Sequence, residues 1–138
     1  MYDNPGWVAG GDIRPSRFVK VSTAADHTVL EADANEAVIG ISHESTQDAP
    51  ISGASANAAE SGDQLTVYGI GRSCLLKIGS GGCTRGDELK SDADGQGVTR
   101  ATSGTTLQHV GAIALESASE GEFARVLVHR TSVYPALA

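Results

Sequence analysis

Aromatic side chains are scarce in this sequence, making up 4% of its 138 residues, with a single Trp among them. A hydrophobic core must therefore be built from Val, Ile, Leu and Ala. The length fits one domain that is large enough to bury such a core without disulfides or metals. Glycine is frequent in contrast, at 17 residues, which favours many tight turns between short strands.

Basic side chains are missing from one long stretch. No Lys or Arg lies between Val21 and Gly71, although eight acidic residues do, and the formal net charge of the chain is −7. The negative field of this stretch repels phosphate backbones, so we expect no nucleic-acid partner. Two interpretations of the stretch stay open: a solvated outer surface, or a face that meets a basic partner or keeps neighbouring copies apart.

Cysteine occurs only at positions 74 and 83. The N-terminus lacks the basic and apolar regions of a secretion signal, and no apolar run reaches membrane length, so we expect synthesis in a reducing cytosol and no membrane partner. Cys74 and Cys83 flank a Gly-rich segment that could fold as a hairpin. Two half-buried thiols and a disulfide formed after release from the cell are the alternatives. Zinc is not expected, because no second Cys or His pair stands at ligand spacing.

Signatures of catalysis are missing as well. Four histidines occur, but no Gly-x-Ser-x-Gly elbow or other nucleophile signature accompanies them. The Gly-rich run Ile78–Gly82 lacks the Lys-Ser/Thr ending and the following helix of a phosphate-binding loop. The run Asp92–Gly95 resembles the opening of a calcium loop without its distal Glu, so a hairpin turn is the better interpretation. The sequence predicts a protein that is not an enzyme and that holds no cofactor or metal.

Turn-and-strand patterning is what the sequence has in abundance. Gly followed by an acidic residue opens a segment at Gly62, Gly86 and Gly121, and the residues after the first and third alternate with period two, as half-buried strands do. No convincing amphipathic helix is present. The predicted fold class is all-β, a compact single domain of the β-barrel or β-sandwich type. Strands are expected at 17–22, 28–32, 37–42, 64–70, 73–78, 97–102, 109–115 and 122–130, with a long surface loop at 46–61.

The N-terminal residues differ from the rest of the chain. They contain several Gly and Pro breakers with isolated Tyr2 and Trp7 between them. Residues 1–16 are therefore interpreted as an extended N-terminal arm, and residues 17–138 as the β-rich domain. Large aromatic side chains on a mobile arm often anchor it to a partner or a neighbouring subunit, and the alternative is that Trp7 folds back onto its own domain.

Five segments of the sequence stand in a familiar order: Ile13–Lys20, Val38–Ser42, Gly86–Gly95, Val110–Leu115 and Arg125–Val128. This order resembles the small decoration, or cement, proteins that tailed bacteriophages add to the outside of their capsids. The resemblance extends from about Ile13 to Val128. Its most telling part is the run Gly-Asp-x-Leu-x-Ser-Asp-Ala-Asp-Gly at Gly86–Gly95.

The resemblance implies a compact β-barrel-like body, usually trimeric, that sits at local threefold axes between capsomers. There it would clamp neighbouring major capsid proteins after the shell expands, with no enzyme activity and no cofactor. The protein would be made in the host cytoplasm and would lie on the capsid exterior of the virion. Contacts with the capsid or between subunits are expected at Tyr2, Trp7, Arg14 and Arg17, which lie on or next to the arm. The alternative function is a receptor- or glycan-binding β-module of a virion spike or tail, with exposed Trp and Tyr for sugar stacking.

Overall fold

The computed structural model describes residues 6–44 and 57–135, and these form two five-stranded sheets and no α-helix. The prediction of an all-β single domain is confirmed. No described segment is a helix long and apolar enough to cross a membrane. The strands are β1 (Val8–Ala9), β2 (Phe18–Val21), β3 (Thr28–Glu31), β4 (Gly40–Ser42), β5 (Val67–Tyr68), β6 (Ser73–Lys77), β7 (Glu88–Ser91), β8 (Gly97–Thr99), β9 (Gln108–Ala114) and β10 (Phe123–Val133).

The first sheet contains the five N-terminal strands in the order β1-β3-β2-β4-β5. Its strands pair antiparallel except for β1 and β3, which run parallel with Val8 opposite Thr28. Successive side chains of a strand point to opposite faces of its sheet. Phe18 and Val19 are neighbours on β2, and both are fully buried. Both faces of the first sheet must therefore be covered.

The second sheet covers one of these faces. Its strands are all antiparallel, in the order β6-β10-β9-β7-β8, and a bridge between Ile78 and Gly97 connects the end of β6 to β8, so that the sheet curls into a half-barrel. The core cluster between the two sheets comprises Phe18, Ala32, Val38, Ile41, Cys74, Leu76, Ile78, Leu89, Ala112, Ala114, Ala124, Val126 and Val128.

A β-bulge and a glycine shape the strands around Phe18. The pairing of β10 with β9 shifts register between Val128 and Thr131, opposite Gly111. A Cβ atom at Gly111 would lie 2.7 Å from Cε1 of Phe18 and 2.5 Å from Cγ2 of Val38. Glycine therefore allows the backbone of β9 to pack directly against the Phe18 ring.

The other face of the first sheet is covered by N-terminal residues together with residues 57–65. The Ile13 N–H donates to the Ala59 carbonyl at 2.9 Å, the Ile13 carbonyl accepts the Ala58 N–H at 2.7 Å, and the Ala9 N–H donates to the Asp63 carbonyl at 2.8 Å. Ile13 is fully buried. This second core cluster comprises Ala9, Ile13, Val19, Val29, Ala58, Ala59, Leu65 and Val67, with Trp7 and Ile39 packed against it.

The structure departs from the predicted strands and loops in several places. Strands β1 and β7 were not expected from the sequence, and β4 begins at Gly40 rather than at Ala37, after a turn in which Asn35 has a φ of 53°. Most of the predicted surface loop at 46–61 lies outside the described residues, but Ala58 and Ala59 within it are buried. The described part of the predicted arm packs on the first sheet, because its backbone pairs with β3 and with residues 57–65.

We expect Ile13→Ala to lower the free energy of unfolding by about 2–5 kcal/mol, because it leaves a cavity in the second core cluster. Ile70→Ala is the matched control, since Ile70 is 64% exposed and its truncation should change stability by less than about 0.5 kcal/mol. Urea unfolding measures both variants. Equal, small effects would show that the N-terminal residues are not part of the core.

Candidate functional site

Arg14, one of the predicted contact residues, lies at a polar junction between the two sheets. Its backbone N–H and its Nε donate to Oε2 of Glu31 at 2.9 and 3.2 Å, and its Nη2 donates to Oε1 of the same carboxylate at 2.5 Å. Nη2 also lies 3.6 Å from Oδ1 of Asp94, in the turn after β7. The hydrogen bond with Glu31 raises the pKa of Arg14. This bidentate pair fixes Arg14 along β3, and 40% of its side chain is still exposed.

Arg17 is more deeply buried at the same junction. Its side chain is buried, and Nη1 donates to the backbone carbonyl of Asp94 at 3.1 Å. Its backbone N–H donates to Oγ of Ser42 at 3.0 Å, and that hydroxyl donates in turn to the Arg14 carbonyl at 2.7 Å. Burial lowers the pKa of Arg17, and the neighbouring Arg14 charge acts in the same direction. Arg17 therefore links the first sheet to the β7–β8 turn within one molecule.

The turn that meets these arginines belongs to the run that carries most of the family resemblance. Oδ1 of Asp92 accepts the N–H groups of Asp94 and Gln96 at 2.8 and 2.9 Å, which is an Asx turn. Gly95 has a φ of 73°, and its carbonyl accepts the Phe18 N–H at 2.8 Å. The aspartate and glycine of this run thus close the β7–β8 hairpin and dock it on β2. No group of three His, Cys, Asp or Glu side chains suited to a metal ion occurs in the described ranges.

Of the two aromatic residues singled out in the predicted arm, the structure describes only Trp7. Tyr2 lies outside the described residues. Trp7 is half-buried against the second core cluster, and its carbonyl accepts the Leu65 N–H at 3.0 Å. Of the two interpretations of Trp7, the structure shows the one in which it packs on its own domain. Contact with a capsid or another subunit stays a prediction for Tyr2, Trp7, Arg14 and Arg17.

The convex face of the second sheet carries apolar side chains that belong to neither core cluster. Cross-strand pairs on this face join Leu75 to Arg125 and Leu127 to Ile113. Lys77 Nζ lies 5.0 Å from the ring centroid of Phe123, a cation–π contact. We call this surface the outer face; its members are Leu75, Lys77, Ile113, Leu115, Phe123, Arg125 and Leu127. Leu115 and Phe123 are each 48% exposed, so this face leaves large apolar side chains open to solvent.

The outer face lies in the electrically balanced half of the chain. Residues 1–71 contain ten acidic and three basic side chains, whereas residues 72–138 contain seven of each. The whole net charge of −7 is therefore carried by the half that forms the first sheet. Like charges repel when two such halves approach, so the second sheet offers the surface that meets the least repulsion from another copy.

Sequence reasoning did not single out the outer face, although a signal for it exists. In the predicted strand 122–130, Ala124 and Val126 point inward, and the alternating positions hold Phe123 and Leu127 instead of polar residues. A strand with apolar residues on both faces is either buried on both faces or uses one of them for contact.

A cleft of about 430 Å³ opens between the end of the first sheet and β10. Lys20 Nζ forms an ion pair with Oε1 of Glu36 at 2.8 Å in its wall, and Arg130 contributes a second cation. Its other lining residues are Val21, Ser22, Thr23, Leu30, Ala37 and Ile39. The charged groups here form an ion pair and a separate cation, without a nucleophile and base in contact, so the cleft is a surface feature of the sheet ends.

The two cysteines are free thiols. Cys74 is buried on the inner side of β6, and burial raises its pKa to about 12. Cys83 is half-buried, and burial raises its pKa as well. Its Sγ lies 3.7 Å from the Glu116 carbonyl. Protonated, enclosed thiols are weak nucleophiles, so both cysteines serve as core side chains.

Comparison with solved structures finds a similar fold. The chain matches no family model and no curated protein. A solved structure, the head fiber gp8.5 N base in bacteriophage phi29, has the same fold, with a TM-score of 0.63 and 19% sequence identity. The similarity covers 93% of this chain and 94% of that chain, so it extends over both sheets. At this identity, the likeness establishes a shared fold.

We expect Arg14→Ala to lower the free energy of unfolding by roughly 1 kcal/mol, because it removes a bidentate hydrogen-bonded pair that is partly exposed. The same change should have a much smaller effect in a Glu31→Ala background, where the partner is already absent. Denaturant unfolding of the two single variants and the double variant measures this coupling. Fully additive effects would contradict the junction.

In the native protein at pH 8, we expect a thiol reagent to modify Cys83 slowly and Cys74 only after unfolding. The raised pKa values keep both thiols protonated at this pH. Below the pKa of a thiol, the fraction of reactive thiolate falls about tenfold for each unit by which the pH lies further below the pKa. Mass spectrometry of alkylated protein, with and without urea, measures the order of labelling. Rapid native labelling of Cys74 would contradict its enclosed position.

Proposed function

We propose that this protein is a structural component of a bacteriophage head. The similarity of fold to the N base of a phage head fiber, over nearly the whole of both chains, is the observation that carries the proposal. The order of sequence segments that resembles capsid decoration proteins supports the same class of function. Both support a virion protein that acts through contacts with other virion proteins.

In its finer form, the proposal seats the protein on the capsid exterior at local threefold axes, as a homotrimer that binds the major capsid protein and stabilises the expanded shell. Packed DNA presses outward, and a shell yields where capsomers separate, so a clip that bridges several subunits opposes that failure. Multivalent seating makes individually weak contacts strong in sum. The body of the clip has to be stiff, and the contacts of Arg14 and Arg17 with Asp94, which join its two sheets, contribute to that stiffness.

The outer face of the second sheet is our candidate for the capsid contact. It combines exposed apolar side chains, Leu115 and Phe123, with the cations Lys77 and Arg125, and Arg125 lies on β10 between Phe123 and Leu127. Aromatic and arginine side chains are enriched in protein–protein interfaces. The acidic half of the chain would then point away from the shell into solvent. Trp7 packs against the second core cluster, which disfavours it as a sugar-stacking platform.

We expect Leu115→Glu and Phe123→Glu each to weaken attachment to expanded capsids that lack this protein by tenfold or more. Each change replaces an apolar side chain of the interface with a carboxylate, whose desolvation on binding is costly. Co-sedimentation of the capsids with increasing protein measures the binding. Ser61→Glu, an equal change of charge at an exposed turn of the other half, is the control and should bind normally.

Native mass measurement provides a second test. A trimer is expected, and a wild-type protein that stays monomeric and does not bind such capsids would overturn the proposed function. Normal attachment of both outer-face variants would remove the capsid contact from this surface.

A further inference from the structure

One long strand edge is left open in the described part of the chain. Strand β6 pairs with β10 at positions 123–127, and the β10 edge from 129 to 133 has no strand beside it. The outer edge of β6 is blocked in contrast, since its Leu75 N–H donates to Oε1 of Glu44 and its Lys77 N–H to the Ser16 carbonyl. Open edges of this length are templates for pairing with another chain.

The backbone groups at the centre of this edge point outward. Ser132 of β10 faces His109 of β9. The His109 N–H donates to Oδ1 of Asn35 at 3.0 Å, on the side away from β10. In an antiparallel ladder, two facing residues either exchange both hydrogen bonds or both point away from each other. The N–H and C=O of Ser132 therefore point to the open side of the sheet.

Three exposed side chains share one face of this segment. By the alternation of a strand, continued one residue beyond the end of β10 at Val133, Arg130, Ser132 and Tyr134 point the same way, and Tyr134 is 48% exposed. Arg130 borders the cleft at the end of the first sheet. Among the described residues it has no ion-pair partner. A free cation on the strand therefore lies four residues before an exposed phenol ring that directly follows the strand.

We propose that the open edge of β10 pairs with the same edge of a second copy of this chain, antiparallel about a twofold axis at Ser132. At this register, the Ser132 N–H of each copy donates to the Ser132 carbonyl of the other. Arg130 of one copy then lies opposite Tyr134 of the other, where a guanidinium stacks on an aromatic ring. The second sheet continues across the axis into the second copy, as in other strand-addition complexes.

The charge distribution of the chain favours a second copy as the partner of this edge. The β10 edge belongs to the balanced half of the chain, so two copies meet through surfaces that do not repel each other. Of the acidic half, residues 1–71, the part that borders this edge is the wall of the cleft beside Arg130, where Lys20 forms an ion pair with Glu36. The self-complementary pairing of Arg130 with Tyr134 is what an isologous twofold contact requires, since each residue must find its partner on the same patch of the other copy.

The inference goes beyond the proposed function, because a twofold contact does not depend on capsid binding. The two are compatible on a shell. Neighbouring local threefold positions of a capsid lattice are related by local twofold axes, so an edge contact of this kind would join adjacent trimers to each other.

Cysteine cross-linking tests the register directly. Ser132→Cys should form a covalent dimer within minutes under a mild oxidant, because the paired Cα atoms lie about 5.5 Å apart, within the range of a disulfide. Ser103→Cys, in an exposed loop away from the edge, is the control and should cross-link far more slowly. Thr131→Cys and Val133→Cys should each give little cross-linked product alone and a mixed dimer together, since they face each other across the axis.

Sedimentation velocity over a range of concentrations tests the energetics. Ser132→Pro removes the central N–H without breaking a bond to β9 and should weaken the pairing at least tenfold. Arg130→Glu should do the same by removing the cation–ring contact. Arg85→Glu, an equal change of charge at an exposed residue outside the edge, should leave the pairing intact. Circular dichroism checks that each variant is folded.

The outcomes separate this inference from the proposed function. If Ser132→Cys cross-links no faster than Ser103→Cys, and Ser132→Pro leaves the self-association of the folded protein unchanged, the edge contact does not form and the inference is wrong. A trimer that binds capsids under those circumstances would leave the proposed function standing. Rapid, register-specific cross-linking in a protein that neither trimerises nor binds capsids would support the inference and overturn the proposed function.

Discussion

The burial of β2 on both faces is the constraint on which the rest of this structure depends. Phe18 and Val19 follow each other in the chain, point to opposite sides of the first sheet, and are both inaccessible to solvent. One cover is the half-barrel of the second sheet. The other is made from the N-terminal residues and residues 57–65, with Ile13 at its centre. Since the N-terminal segment supplies this cover, its buried residues have little freedom to act as a mobile anchor.

The same constraint explains why the arginines sit where they do. A chain that wraps both sides of a sheet must be fastened where it crosses from one layer to the other, and Arg14 and Arg17 lie at that crossing. Their donors reach Glu31 on β3 and the carbonyl of Asp94 beyond β7. A hydrogen-bonded charge of this kind gains more in a partly buried site than in water. Both cations therefore have partners within the fold, and their contact with a capsid or another subunit stays a prediction.

Period-two alternation is a local property, and it predicted the strands whose two faces differ. β1 could not be found this way, because it is two residues long among breakers and exists only by pairing with β3. β7 has one fully buried apolar residue, Leu89, whose core position depends on a partner strand more than 20 residues further along the chain. The junction was equally hidden, since Arg14 meets Glu31 and Asp94 at separations of 17 and 80 residues. The sequence indicated only that these arginines lie on or next to the arm, and the tertiary fold shows their partners within the domain.

The bulge in β10 connects the core to the surface. It lies opposite Gly111, where the missing side chain makes room for the Phe18 ring, and the extra residue that it adds to β10 falls just beyond the last position paired with β6. Bulges bend and twist a strand away from its neighbour. The packing of one phenyl ring thus ends the β6–β10 ladder and leaves the following five residues of β10 uncovered. The outer edge of β6 is blocked by hydrogen bonds to Glu44 and Ser16, whereas the edge of β10 beyond the bulge is open. The open edge exposes the backbone of Ser132 between Arg130, unpaired among the described residues, and the exposed Tyr134. This arrangement fits the proposed pairing of the edge with a second copy of the chain.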